Sequence, residues 1–248
     1  MTCFARFALA VTVAAVLAMP IHARPASGSR IDEPDEPSPV MGTGDFNGDG
    51  IADLVEVTSP EGNDSGRHFL TVLLGNKDGS YTSAGSQTLV GKDPSALVVG
   101  DFNGDGNQDV VVGDLNGTLL MFQGDGKGNL AAAGNVATLG SVTSLAAGNF
   151  THSGRLDLAV SDFNSNSAVI LLGTGNGSFR IAWSFQLPRR GRHFFVATAD
   201  FNKDGIADLV VASDDSDDYE VLLGNGNGTF SFSPELSHVR DPYSYCPS

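Results

Sequence analysis

The stretch GDFNGDGIADLV (residues 44–55) decides the fold, because the chain writes it four times. The other copies are GDFNGDGNQDVV (100–111), GNFTHSGRLDLA (148–159) and ADFNKDGIADLV (199–210), with starts 56, 48 and 51 residues apart. A second string follows each of them: VLLGNKDGSY (72–81), MFQGDGKGNL (121–130), ILLGTGNGSF (170–179) and VLLGNGNGTF (221–230). Self-similarity at a fixed period of 20–50 residues is the signature of arrays, solenoids and propellers. The span 40–240 therefore divides into four units, about 40–91, 92–139, 140–190 and 191–240.

Each unit reads as four short strands. In the second, SALVVGD (95–101), DVVVG (109–113), GTLLMFQG (117–124) and LAAAGNVATL (130–139) are apolar runs broken by Gly, Asn and Asp. Long 3.6-residue periodicity with helix caps is absent. Four-stranded antiparallel sheets repeated every 40–50 residues predict an all-β chain, a β-propeller-type array of four blades. A β-solenoid has much shorter rungs. In a meander, successive connections alternate between the two ends of the sheet. The loop between strands A and B and the turn between C and D therefore share one face, and the B–C loops lie on the other.

The A–B loop carries a chemical pattern of its own. Counting Asp45 as position 1, oxygen-bearing side chains occupy positions 1, 3, 5 and 9: Asp45, Asn47, Asp49 and Asp53, with Gly50 at position 6. Hard cations take six to eight oxygens from carboxylates, amide carbonyls and backbone carbonyls. Alternate positions of a tightly curled loop converge on one centre, and the carbonyl of Ile51 at position 7 adds an uncharged ligand. An EF-hand places its last acid at position 12 between helices; here it stands at 9 between strands. Asp, Asn and Gly are also ordinary turn residues, but a turn alone gives no reason for the acid at position 9.

These eight motif occurrences, covering about 200 of the 248 residues, closely resemble the FG-GAP/VCBS repeat family. Its β-propeller blades carry calcium in the A–B loop, as in the integrin α-chain head. The resemblance implies three complete Ca²⁺ sites. They are Asp45, Asn47, Asp49, Ile51 (carbonyl) and Asp53; Asp101, Asn103, Asp105, Asn107 (carbonyl) and Asp109; and Asp200, Asn202, Asp204, Ile206 (carbonyl) and Asp208. The third copy departs from the pattern, offering Asn149, Thr151, Ser153 and Asp157 with Arg155 at position 7. One carboxylate replaces three, so Asn149 and Asp157 form a degenerate site with weak metal binding or none. The expected role of calcium is structural, since the chain itself fills the ligand positions.

Composition fits this picture. The chain has 29 Asp or Glu against 14 Lys or Arg, a formal charge of −15, and is 41% hydrophobic. That is enough to bury a core, while a pI near 4.4 argues against nucleic acid as a partner, because phosphate binding needs a basic patch. Nine of the acids lie in the three complete loops, and the 31 glycines suit the loops and hairpins. Residues 1–23 read as a cleaved signal peptide: Arg6, the apolar run FALAVTVAAVLAM (7–19), then Pro20 to Ala23. The run is too short to span a bilayer, which takes about 20 residues. The expected location is secreted or periplasmic. Residues 24–39 hold four prolines and read as a disordered linker; 241–248 form a tail. Cleavage leaves Cys246 as the sole cysteine, so no internal disulfide can form.

Other features decide less. Asp214, Asp215, Asp217 and Asp218 fall in the fourth B–C loop, and Arg189, Arg190, Arg192 and His193 in the connection into the fourth unit. Both clusters belong to the face away from the A–B loops. In integrin-like propellers that face binds ligands, so it is the candidate surface for a protein or glycan partner. His68, His152, His193 and His238 stand at unrelated places in the repeat, and neither HExxH nor G-x-S-x-G occurs. A binding or adhesion module is the leading reading; a lectin-like glycan binder comes next, and a polysaccharide-active enzyme last. Four units close as a tight ring, remain an open arc, or are completed by a second copy.

Overall fold

The computed structural model describes residues 40–59, 66–186, 194–213 and 219–237. The signal peptide, linker and tail lie outside them, as do Cys246 and the clusters at 189–193 and 214–218. Among the described residues, sixteen strands form four antiparallel sheets, each a meander in chain order. Blade 1 holds β1 (Met41–Gly44), β2 (Asp53–Thr58), β3 (His68–Gly75) and β4 (Tyr81–Gly91). Blade 2 holds β5 (Pro94–Gly100), β6 (Asp109–Asp114), β7 (Thr118–Gly124) and β8 (Leu130–Thr138). β9 (Val142–Gly148), β10 (Asp157–Asp162), β11 (Ser167–Gly173) and β12 (Phe179–Gln186) make blade 3. β13 (Phe194–Ala199), β14 (Asp208–Ser213), β15 (Tyr219–Gly224) and β16 (Phe230–Phe232) make blade 4. This is the expected all-β array of four four-stranded propeller blades.

Blades stack face to face in chain order, and each interface holds its own core. Val55, Leu70 and Val72 of blade 1 meet Val110, Val112 and Phe122 of blade 2. Val111, Leu119 and Met121 meet Leu158, Val160 and Leu171 of blade 3. Ala159, Ile170 and Leu172 meet Val196, Leu209 and Leu222 of blade 4. Successive strand residues thus face alternate neighbours. A middle strand of a middle blade is covered on both faces, so β10 (DLAVSD) and β11 (SAVILLG) are buried throughout. The fourth strands at the rim are mostly exposed, and their pairings with the third strands carry register shifts. Such bulges blunt a sheet edge against pairing with other chains.

Neighbouring first strands are joined by side chains that bond to the next backbone. Ser95 Oγ donates to Val142 O at 2.6 Å, and Thr198 Oγ1 to Ala147 O at 2.7 Å. The succession of packed first strands runs β1–β5–β9–β13; among the described residues no packing of similar extent joins β13 to β1. The loop parity read from the sequence holds. The end of β3 is tied to the A–B loop by Gly75 N–H, which donates to Asp53. At the opposite end, Asp114 and Asp162 cap the B–C loops by accepting backbone N–H bonds.

Candidate metal centre

Each A–B loop is bracketed by one strand pair: Gly44↔Asp53, Gly100↔Asp109, Gly148↔Asp157 and Ala199↔Asp208. Eight residues must reverse the chain between those pairs. The backbone curls through left-handed turns at positions 4 and 6, Gly48 (φ +74°) and Gly50 (φ +80°) in the first loop. Positive φ is open to glycine at little cost. Where position 4 is not glycine the conformation persists, at His152 (φ 52°) and Lys203 (φ 63°).

The acids at positions 1 and 5 bind the curl. Asp45 Oδ1 accepts from Gly48 N (2.8 Å) and Asp49 N (3.1 Å), and Oδ2 from Gly50 N (2.9 Å). Asp49 Oδ1 accepts from Ile51 N at 2.8 Å, and Asn47 joins through Asp49 N and its own Nδ2. The second loop repeats these bonds with Asp101, Asn103 and Asp105. In the fourth loop Asp200, Asn202 and Asp204 repeat most of them. The Asn107 N–H that Asp105 accepts holds the Asp105 carboxyl below its ordinary range.

Position 9 is different. Asp53, Asp109, Asp157 and Asp208 are all buried, at 0–1% exposure. Asp53 Oδ2 accepts from Phe46 N and Oδ1 from Gly75 N, both at 2.8 Å. Asp109 serves Phe102 and Gly124, Asp157 serves Phe150 and Gly173, and Asp208 serves Phe201 and Gly224. The carboxylate therefore pins the start of the loop to the end of the third strand. Burial pushes the Asp109 carboxyl up; the Gly124 and Phe102 N–H bonds oppose this, while Asp105 and Asp101 add to the rise. Asp157 is likewise raised by burial against the N–H bonds of Gly173 and Phe150. The expectation that a turn has no use for this acid is corrected here: the position has a structural task, and the degenerate third loop keeps it.

The third loop also separates what the turn needs from what it does not. Asn149 Oδ1 accepts Ser153 N at 3.0 Å, the bond that Asp45 makes to Asp49 N. Ser153 Oγ accepts Arg155 N at 3.3 Å in place of a carboxylate oxygen. Neutral side chains thus close the curl. The carboxylates at positions 1 and 5 of the other loops place negative charge at its exposed lip beyond that requirement. Among the described residues, no three His, Cys, Asp or Glu side chains are gathered at metal-binding spacing. The donor set itself, hard oxygens with a second lone pair on each carboxylate oxygen, suits a hard cation such as calcium. Arg155 lies with its stem across Gly175, and with Asp101 it lines a cleft of about 290 Å³ between the second and third loops.

The model of the FG-GAP-like repeat matches four times, at residues 45–112, 101–160, 149–211 and 200–246. The chain belongs to the FG-GAP-like repeat family. No curated protein sequence matches it significantly. Among solved structures, this FG-GAP-like chain is similar to BBS1N in complex with ARL6DN, soaked with lead. Identity is 16%, the TM-score 0.50, and 84% of this chain and 57% of that one are covered. A Photorhabdus luminescens Tc holotoxin pore matches at 15% identity and TM-score 0.50, over 81% of this chain and 10% of that one. An Agrocybe aegerita lectin, described as recognising non-reducing terminal N-acetylglucosamine, matches at 17% identity and TM-score 0.46, over 78% and 65%. These likenesses concern the fold. The chain spans about half the length of the BBS1N chains it matches. Among the described residues no helix is long and apolar enough to cross a membrane.

Two groups of residues central to the loops were not singled out from the sequence. They are the phenylalanines at position 2 and the glycines that end each third strand. A clue was present, since all four copies carry Phe46, Phe102, Phe150 and Phe201 after position 1.

Proposed function

We propose that this FG-GAP-like protein is an exported binding module whose A–B loops in blades 1, 2 and 4 hold calcium as a structural staple. The observation that carries this reading is the third loop, which closes with Asn149 and Ser153 where the others spend exposed carboxylates. Each complete loop carries three acids, and three like charges in one short loop repel unless a cation joins them. Asp45, Asn47, Asp49 and Asp53, with the carbonyl of Ile51, would hold the ion in blade 1, and their counterparts do so in blades 2 and 4. Calcium supplies charge neutralisation there. Millimolar extracellular calcium suits sites of modest affinity, and an exported chain with no internal disulfide gains from such a tie.

The partner surface of this reading is the B–C face, for a protein or glycan ligand. Support comes from Leu115 (51% exposed) and Phe163 (42% exposed), large apolar side chains in the B–C loops of blades 2 and 3. The test is calcium titration by calorimetry together with thermal melts in calcium and in chelator. About three ions should bind. At ten times the dissociation constant each contributes about 1.4 kcal/mol, so three sites raise Tm by roughly 8–16 °C for a domain of this size. An unchanged melt and no heat of binding would remove calcium from the account.

A further inference from the structure

The three blade interfaces are built from the same parts, and among the described residues no further blade meets the outer halves of blades 1 and 4. In each interface the position-2 phenylalanine of one blade is buried beneath the C–D turn of the next: Phe46, Phe102 and Phe150 are 0–2% exposed. Its carbonyl accepts the N–H of the turn glycine, from Gly128 (2.9 Å), Gly177 (3.1 Å) and Gly228 (3.1 Å). Its ring lies beside the first residue of the next blade's fourth strand. Phe102 meets Phe179 with ring centroids 5.8 Å apart, Phe150 meets Phe230 at 5.2 Å, and Phe46 shares a core with Leu130.

Blade 4 presents the plug with no C–D turn over it among the described residues, while Val221 on the same face is buried beside Ser233 and Ser237. Phe201 is 39% exposed, and among the described residues no turn glycine bonds its carbonyl. Blade 1 presents the socket: Tyr81, at the place of Leu130, Phe179 and Phe230, is 55% exposed, and Gly79 N–H turns back to Asn76 O. The faces around them are apolar in part, with Phe195 and half-buried Val210 and Leu223 on blade 4, and half-buried Leu54 and Leu73 on blade 1. Half-buried Glu56 lies on the blade 1 side, opposite Thr71. The fit at the base is close. A Cβ at Gly100 would stand 2.5 Å from Leu156 Cδ1, and one at Gly148 3.1 Å from Ala207 Cβ. Blade 4 has Ala199 in that place and Ala52 would oppose it on blade 1; since a Cβ at Gly148 would also stand 2.8 Å from Phe150 Cε1, seating Phe201 requires its ring to shift along with the methyl contact.

We propose that a second copy of this chain mates head-to-tail with the first, blade 4 of one on blade 1 of the other, Phe201 seating beside Tyr81. The proposed contact continues the interface already repeated three times within the chain. Head-to-tail contacts make a ring when the rotation closes, and two copies give eight blades, within the range of propellers.

Sedimentation of the full chain tests this, with Phe201→Asp and Tyr81→Asp variants whose strand content is checked by circular dichroism. The wild type should sediment with the mass of two chains and each variant with that of one. An equimolar mixture of the variants should regain the two-chain mass, because one keeps an intact socket and the other an intact plug. A wild type of single-chain mass, whether closed on itself or covered by its own tail or a further blade, overturns the proposal. So does a two-chain particle that survives both substitutions, or a mixture of folded variants that stays at single-chain mass.

Discussion

Asp157→Asn in the third blade isolates the structural task of the position-9 acid from any cation. Asp157 is fully buried; Oδ2 accepts from Phe150 N (3.0 Å) and Thr151 Oγ1 (3.3 Å), and Oδ1 from Gly173 N (2.9 Å). Asparagine keeps one acceptor and turns an NH₂ towards a backbone N–H, leaving a buried donor unmet. Losing a hydrogen bond to a charged group costs about 1.5–3 kcal/mol. Part of this is offset because the amide no longer buries a charge, so the net loss is about 1–2 kcal/mol, a fall of roughly 2–8 °C in Tm. The pH dependence has a definite sign. Burial raises the folded-state pKa of Asp157 above its ordinary 3.8. Protonation therefore favours the folded state, and that contribution is fully present below the ordinary value and lost as pH rises through the raised one. The variant lacks it, so the stability gap between wild type and variant is smallest at neutral pH and widens on acidification; Asp109 is common to both and cancels. Thermal melts at several pH values read this directly. An unchanged or higher Tm, or a gap that narrows in acid, would refute the pinning role.

Other outcomes follow from the same contacts. The Asp45→Asn, Asp49→Asn double variant should melt within about 1 kcal/mol of wild type in chelator, as the neutral third loop implies, and should bind one calcium ion fewer by calorimetry. Phe150→Ala empties a buried interface and should cost about 3–5 kcal/mol in denaturant unfolding, whereas Phe201→Ala in the single chain should cost under about 1 kcal/mol. Gly173→Ala drives a Cβ into the carbonyl oxygen of Leu156, beside the bond to Asp157, and should cost about 1–3 kcal/mol or more in the same assay.

The strands were legible because both their residues and their punctuation repeat. The apolar runs at 95–101 and 109–113 predicted in the second unit fall on β5 and β6 within one residue. The A–B loop was legible as a unit of chemistry, but its parts were not separable from local spacing. Asp53 looked surplus to a turn because one of its partners, Gly75, is 22 residues away and comes close only when the third strand returns to the loop. Phe46 sits among turn residues in the sequence, and its burial depends on Gly128 and Leu130, supplied by the following blade. Both cases need the stacking of blades, which a one-dimensional pattern implies without giving its partners.

Stacking in series also orders how the molecule comes apart. Blades 2 and 3 are each clamped on two sides, while blades 1 and 4 have one core apiece along the β1–β5–β9–β13 succession. In such quasi-linear arrays stability is close to a sum over units and their shared boundaries. In the single chain, as in the Phe201→Asp variant, hydrogen exchange should therefore reach β1 to β4 and β13 to β16 well before the amides of β10 and β11, by opening from the ends inward. A protease or a pulling force would meet the same gradient, with the outer blades peeling while the middle pair still stands.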